Sequence, residues 1–171
     1  MLPGIMLDES RQHSVGGELF EVKSCAVVVY PYRRVYGNLE FLQLLRSEKE
    51  DLYPKTWQPI YGAANEGERA ADAARRELQE EIGLPPLQLF LAEYIESFFF
   101  RPDNSIWQLP VFAAQLAVDS KIVLNEEHSD YRWVPEQDAK SKFMWRTQRE
   151  AVGIIIETLR DYPENVTRLK V

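Results

Sequence analysis

Glu68, Glu77, Glu80 and Glu81 stand at fixed intervals behind a glycine in the stretch GAANEGERAADAARRELQEEIGL, which runs from Gly62 to Leu84. At 100° per residue, Glu77, Glu80 and Glu81 fall within roughly 100° of one another on a helix. Ala71, Ala74, Leu78 and Ile82 form an adjacent apolar stripe, so the acids lie at the edge of a buried face. Like charges placed there repel, and their pKa values rise unless cations neutralise them. Carboxylate oxygens suit hard divalent cations. Mg²⁺ fits this set because it takes one or two carboxylates, keeps waters and bridges to phosphates; Mn²⁺ is a substitute. The competing reading is a solvated charged face. The spacing G-x5-E-x7-R-E-L-x-E-E-x-G-L weighs against it, since ordinary residue usage gives such a pattern on the order of once in 10⁸–10⁹ windows.

These residues need elements to hold them. The Ala-, Glu-, Arg- and Leu-rich segment from about Glu68 to Ile82 predicts a helix, stopped by Gly83 and by Pro85-Pro86. CAVVVYPY (25–32) and LEFLQLLR (39–46) read as strands, with a turn at Gly37-Asn38. WQPIYG (57–62) reads as a short strand in which Pro59 marks an edge or bulge. LQLFLAEYIESFFF (87–100) and SIWQLPVFAAQLAV (105–118) read as a hairpin joined by RPDN. YRWV (131–134) is a further strand and PEQDAK a helical turn. A last helix is expected from Thr147, where Thr-x-x-Glu fits a capping box, with Val152, Ile155, Ile156 and Leu159 as its core stripe. The mixture of strands and helices predicts an α/β (α+β) fold, a mixed sheet between helices. Residues 1–18 read as a loose polar arm and 19–171 as a single domain.

The totals bound what such a domain does. At 171 residues, 45% hydrophobic and 27% charged, the chain is long enough for a real core. A net charge of −7 argues against binding a nucleic-acid polymer, which needs a basic surface. A small nucleotide remains compatible, because a divalent cation brings local positive charge. Cys25 is the one cysteine and reads as a buried strand thiol. No secretory signal and no membrane-length apolar run is seen, so no membrane partner and a cytoplasmic location are expected. No Ser/His/Asp set and no G-x-x-x-x-G-K-[ST] loop appears.

The stretch from Gly62 to Leu84 resembles the Nudix box at every defined position: Gly62, Glu68, Arg76, Glu77, Leu78, Glu80, Glu81, Gly83 and Leu84. The order of elements from about residue 22 to 160 is also similar to that of Nudix hydrolases. TWQPIYGAANEGE, EEH…YRWV and MWRTQREA look most like the bacterial dATP and dihydroneopterin triphosphate pyrophosphohydrolase branch. The resemblance implies a Nudix-type α/β/α sandwich. It implies that Glu77, Glu80 and Glu81 hold Mg²⁺, with Glu81 the first choice as ligand. Arg76 then fixes a carboxylate's orientation, or makes only a surface salt bridge. Glu68 is an auxiliary ligand or a charge suited to the helix start. Gly62 and Gly67 allow close approach of metal and phosphate. Glu127, with Glu126 as fallback, is the acid expected to act on the attacking water or the metal; His128 reads as structural.

The implied reaction is attack of water on a (deoxy)nucleoside triphosphate, giving the monophosphate and pyrophosphate. Arg46 is a candidate for a terminal phosphate, with Arg146 and Trp145 for the same pocket. Trp57 and the aromatics Phe98, Phe99, Phe100 and Trp107 are candidates to stack a purine or pterin. A dinucleoside polyphosphate or another nucleoside-diphosphate-linked compound is the alternative substrate. A nucleotide-sensing protein without catalysis is the alternative of another class. Monomer and homodimer are both open.

Overall fold

Alternating apolar residues on either side of one hairpin make the centre of the sheet. β2 (Ala26–Val35) sends Val27 and Val29 to one face and Val28, Tyr30 and Tyr32 to the other. It turns through Tyr36 and Gly37, both at positive φ (49° and 84°), into β3 (Asn38–Arg46). Two positive φ values are what a tight two-residue hairpin requires, so the turn lies one residue earlier than Gly37-Asn38. The computed structural model describes residues 20–171. The arm expected at 1–18 lies outside the described residues.

The eight-stranded sheet is mixed. β1 (Glu21–Lys23) and β2 both run parallel to β7 (Ser105–Gln115). β6 (Gln88–Phe100) returns antiparallel on the other side of β7 through a 3₁₀ turn at Arg101–Asp103. The segment at 57–63 is split by Pro59, which has no amide hydrogen to donate. β4 (Trp57–Gln58) pairs with β3, and β5 (Ile60–Ala63) crosses to pair with β2. β8 (His128–Pro135) pairs with β3 and is longer than YRWV alone.

Helices cover both faces. α1 (Ala70–Ile82) lays Ala73, Ala74, Leu78 and Ile82 on Val27, Val29, Leu42, Leu44, Ile60 and Phe112. α2 (Glu136–Lys142), α3 (Arg146–Asp161) and α4 (Pro163–Arg168) cover the opposite face, where Val152, Ile155 and Leu159 of α3 meet Val28, Tyr30, Phe90 and Val111. No helix among the described residues is long and apolar enough to cross a membrane.

Three local expectations are corrected. α1 begins at Ala70, because Arg69 is extended and Glu66–Gly67 before it form a turn. α3 begins at Arg146, and its first turn is closed by Gln148, whose Oε1 accepts from the Trp145 amide at 3.1 Å. Thr147 and Glu150 cannot form that box, because Thr147 donates to Glu96 and Glu150 accepts from Tyr94 and Arg146. Cys25 is exposed and lies between β1 and β2, not within a strand.

Candidate active site

Gly62 sits in β5 with its α-carbon facing α1. A Cβ there would fall inside the Glu77 side chain, so only glycine lets strand and helix approach this closely. Arg76 then gathers the acids. Its Nε and Nη2 donate to the two oxygens of Glu68, each at 2.9 Å. Its Nη1 donates to Glu77 at 2.7 Å and to Glu80 at 3.0 Å, and Nη2 also donates to the Ala63 carbonyl at 2.7 Å. Glu68 also accepts from the Asn65 amide at 2.8 Å, which closes the loop ahead of the helix. The Arg76 hydrogen bonds hold the Glu68 carboxyl down at about pH 2. Glu77 is pushed the other way: burial outweighs the guanidinium and raises its pKa.

Glu81 is different. It is only 3% exposed, and its Oε2 is buried with no hydrogen-bond partner. Burial, then the charges of Glu77 and Glu127, push its pKa well above the carboxylate range, against the pull of Arg46. His128 Nδ1 stands 3.7 Å from that oxygen. Burial, and then Arg46, lower the His128 pKa to about 4, so the imidazole is neutral at pH 7 and gives Glu81 no charge partner. The His128 Nε2 and the Arg46 Nε are likewise buried without partners.

The segment before β8 is tied to the end of α1. The amides of Val123 and Asn125 donate to the carbonyls of Ile82 and Glu81. Glu127 follows, exposed, with its carbonyl accepting from the Ser47 amide at 2.8 Å. Glu126 is exposed beside it. Arg46, at the end of β3, pairs with Glu50 at 2.6 Å. The structure thus brings Gly62, Glu68, Arg76, Glu77, Glu80, Glu81, Glu127 and Arg46 together along one side of α1.

Trp57, Trp145 and Arg146 lie on the α3 side. Trp57 is stacked under the Arg132 guanidinium, 4.2 Å from its ring centroid. Arg146 has an 84% exposed side chain, pairs with Glu150 at 2.7 Å and does not touch the acids. It borders a groove of about 560 Å³ with Tyr94, Lys140 and Arg149. Trp145 packs edge-on against Tyr53 at 5.3 Å. Phe99, Phe100 and Trp107 stand at the far end of the β6–β7 hairpin, where Phe99 meets Phe20 and Phe100 meets Trp107. His128 beside Glu81, Arg132 over Trp57 and the paired Tyr53 were not evident from the sequence, because each depends on a partner far away in the chain.

The fit of a divalent cation rests on Glu81. An oxygen that is buried, acidic and without a donor is the arrangement a cation relieves, and the carboxylates of Glu77, Glu127 and Glu80 are close enough to raise its pKa. Among the described residues no three such groups already converge on one point, because Arg76 engages Glu68, Glu77 and Glu80.

The NUDIX domain family model matches residues 25–152, three-quarters of the chain and all of this site. The chain belongs to the Nudix family. The asymmetrical bis(5′-nucleosyl)-tetraphosphatase of Caenorhabditis elegans is 30% identical over 119 residues, 69% of this chain and 82% of the relative. The nucleoside triphosphatase NudI of Klebsiella pneumoniae is 27% identical over 101 residues, 53% of this chain and 69% of the relative. Among solved structures, a C. elegans Ap4A hydrolase binary complex superposes with a TM-score of 0.67 at 25% identity, covering 80% of this chain and 98% of that one. The Escherichia coli dihydroneopterin triphosphate pyrophosphohydrolase superposes with a TM-score of 0.63 at 23% identity, covering 79% and 95%, a likeness of fold. Nudix membership assigns the chain to the hydrolases of nucleotide anhydrides.

Proposed function

We propose that the protein hydrolyses a phosphoanhydride of a (deoxy)nucleoside triphosphate to the monophosphate and pyrophosphate, with Mg²⁺ as the metal. The buried, partnerless Glu81 oxygen at the end of α1 is the observation that carries this reading. Glu81, Glu77 and Glu80 are the carboxylates that would hold the ion, with Glu68 as an auxiliary. When bound, Mg²⁺ neutralises phosphate oxygens and lowers the pKa of a coordinated water.

The chain's own residues do the rest. Arg76 sets the orientation of Glu77 and Glu80, and through Glu68 it keeps the loop closed over the helix start. Gly62 leaves the space into which Glu77 folds. Glu127 is exposed beside that pocket and accepts the proton of the attacking water as general base. Arg46 presents a guanidinium to the phosphate chain from the end of β3. On the other face, Trp57, Trp145 and Arg146 receive the base and sugar.

A dinucleoside polyphosphate is the second reading. The relative that is 30% identical over most of its own length bears the name of a tetraphosphatase of that class. Tyr53 with Trp145, separate from Trp57 with Arg132, offers a second aromatic surface for a second base.

The experiment is a substrate panel with Mg²⁺ in ¹⁸O-labelled water: dATP, dihydroneopterin triphosphate, diadenosine tetraphosphate and nucleotide sugars. Label and pyrophosphate from a triphosphate support the first reading, and preferential cleavage of the tetraphosphate supports the second. No turnover of any of them sinks both and leaves a sensor.

A further inference from the structure

Glu96 is a glutamate in the middle of the α3-side core. It is 0% exposed on β6. Three hydroxyls from three other elements donate to it. Tyr30 of β2 donates to Oε1. Tyr61 of β5 and Thr147 of α3 donate to Oε2 at 3.0 and 3.3 Å. A second layer closes around them: Gln148 Nε2 donates to the Tyr61 hydroxyl at 2.9 Å, and Gln148 Oε1 accepts from the Trp145 amide at 3.1 Å. Gln148 is also fully buried.

Stability alone does not account for such a network. A buried acid with its donors gains little over apolar residues of the same shape, and replacing the whole set is often neutral. What polar partners add is direction, because each bond fixes an angle that apolar packing leaves loose. The network fixes two things. One is β5: Tyr61 points to the α3 face and the next residue, Gly62, faces Glu77 across the sheet. The other is the first turn of α3, which carries Trp145 and Arg146 at its entrance and Thr147 and Gln148 beneath.

We propose that Glu96 is a positioning residue for the hydrolase: it locks the N-terminus of α3 to strand β5 and so holds the Trp145–Arg146 side of the nucleotide site in register with the Gly62–Glu77 side. This rests on the reading that Trp145 and Arg146 receive the base and sugar. Glu96 touches neither substrate nor metal in this scheme. It acts through Tyr61 and Thr147.

The test uses the full chain with Glu96→Gln, which keeps the shape but sets an amide against the Tyr30 hydroxyl, and with Tyr61→Phe and Thr147→Val, which each remove one donor. Steady-state kinetics with Mg²⁺ and dATP, and again with diadenosine tetraphosphate, are paired with amide hydrogen exchange. KM is expected to rise about tenfold in Glu96→Gln, the loss of about one net hydrogen bond's worth of register, while kcat stays within about threefold. Exchange should quicken at residues 145–150 and not at 77–82. Wild-type KM with wild-type exchange at 145–150 in folded Glu96→Gln overturns the proposal. So does a fall in kcat at constant KM, which would put the residue's effect on the acidic side. If the wild-type chain turns over neither nucleotide, the functional reading fails by itself, and exchange at 145–150 still decides whether Glu96 holds α3.

Discussion

Replacing Glu81 by glutamine should stabilise the metal-free protein while abolishing its work. Glu81 is 3% exposed, one oxygen has no donor, and its pKa is raised by burial and by Glu77 and Glu127. An acid whose folded pKa lies above its ordinary 4.5 binds its proton more tightly in the folded state. The unfolded chain then binds fewer protons than the folded one, so stability falls as pH rises from the ordinary value through the raised one. At neutral pH the wild-type protein in EDTA carries that penalty. A buried acceptor without its bond costs about 1–3 kcal/mol, and a charged one more. For a chain of this length each kcal/mol moves Tm by about 2–4 °C. Glu81→Gln in EDTA should therefore melt several degrees higher at pH 7.5, and its Tm should change less between pH 5 and 8. Adding Mg²⁺ reverses the order. At a hundredfold excess over its dissociation constant the ion stabilises the wild type by about 2.7 kcal/mol, and the variant should gain less. Turnover should fall by about 10² or more, since several kcal/mol of charge stabilisation is lost at about 1.4 kcal/mol per tenfold. Differential scanning calorimetry at two pH values, with EDTA and with Mg²⁺, reads all of this. An equal magnesium shift in both proteins, or a variant that melts lower in EDTA, would refute the reasoning.

Gly62→Ala should act at the same place by sterics. The new methyl occupies the space of the Glu77 side chain, so Glu77 must leave Arg76; overpacking of this kind costs about 1–3 kcal/mol, read by urea denaturation, and kcat/KM should drop by tenfold or more. Arg46→Ala removes the guanidinium that pairs with Glu50 at the mouth of the site. KM for the triphosphate should rise about tenfold with kcat changed less, as for a charge-assisted phosphate contact, and an unchanged KM would dismiss the phosphate role.

What could be read in advance was what lies close along the chain. The helix that carries the acids ends at Gly83, in the left-handed conformation at φ 72°, and both signals fall within one stretch of sequence. The strands at 26–35 and 38–46 show their two faces by alternation. Cys25 misled because apolar character is a property of a window: CAVVVY is one run in the sequence, but the strand starts at Ala26, and the Cys25 carbonyl instead accepts from the Ala64 amide. Thr147 misled for the opposite reason. Its type suits a cap, but its hydroxyl is claimed by Glu96, 51 residues earlier in the chain.

The two features of most consequence, Glu81 beside His128 and Glu96 beneath Tyr30 and Tyr61, are built from partners that no local pattern links. In β6 the alternation that might have exposed Glu96 as inward-facing is interrupted between Leu91 and Ile95, where the register with β7 shifts. Beyond that shift the phase is restored, with Ile95 and Phe99 exposed and Glu96 buried between them. A glutamate at an inward position of a strand has to be either relieved or used. Glu81 and Glu96 are the two buried acids of the site region, and they differ in one respect. Glu96 has three donors and needs no cation; Glu81 Oε2 has none. Burial alone therefore does not mark a ligand. Burial without a donor does, and that contrast separates the acid that would hold the metal from the acid that holds the fold in register.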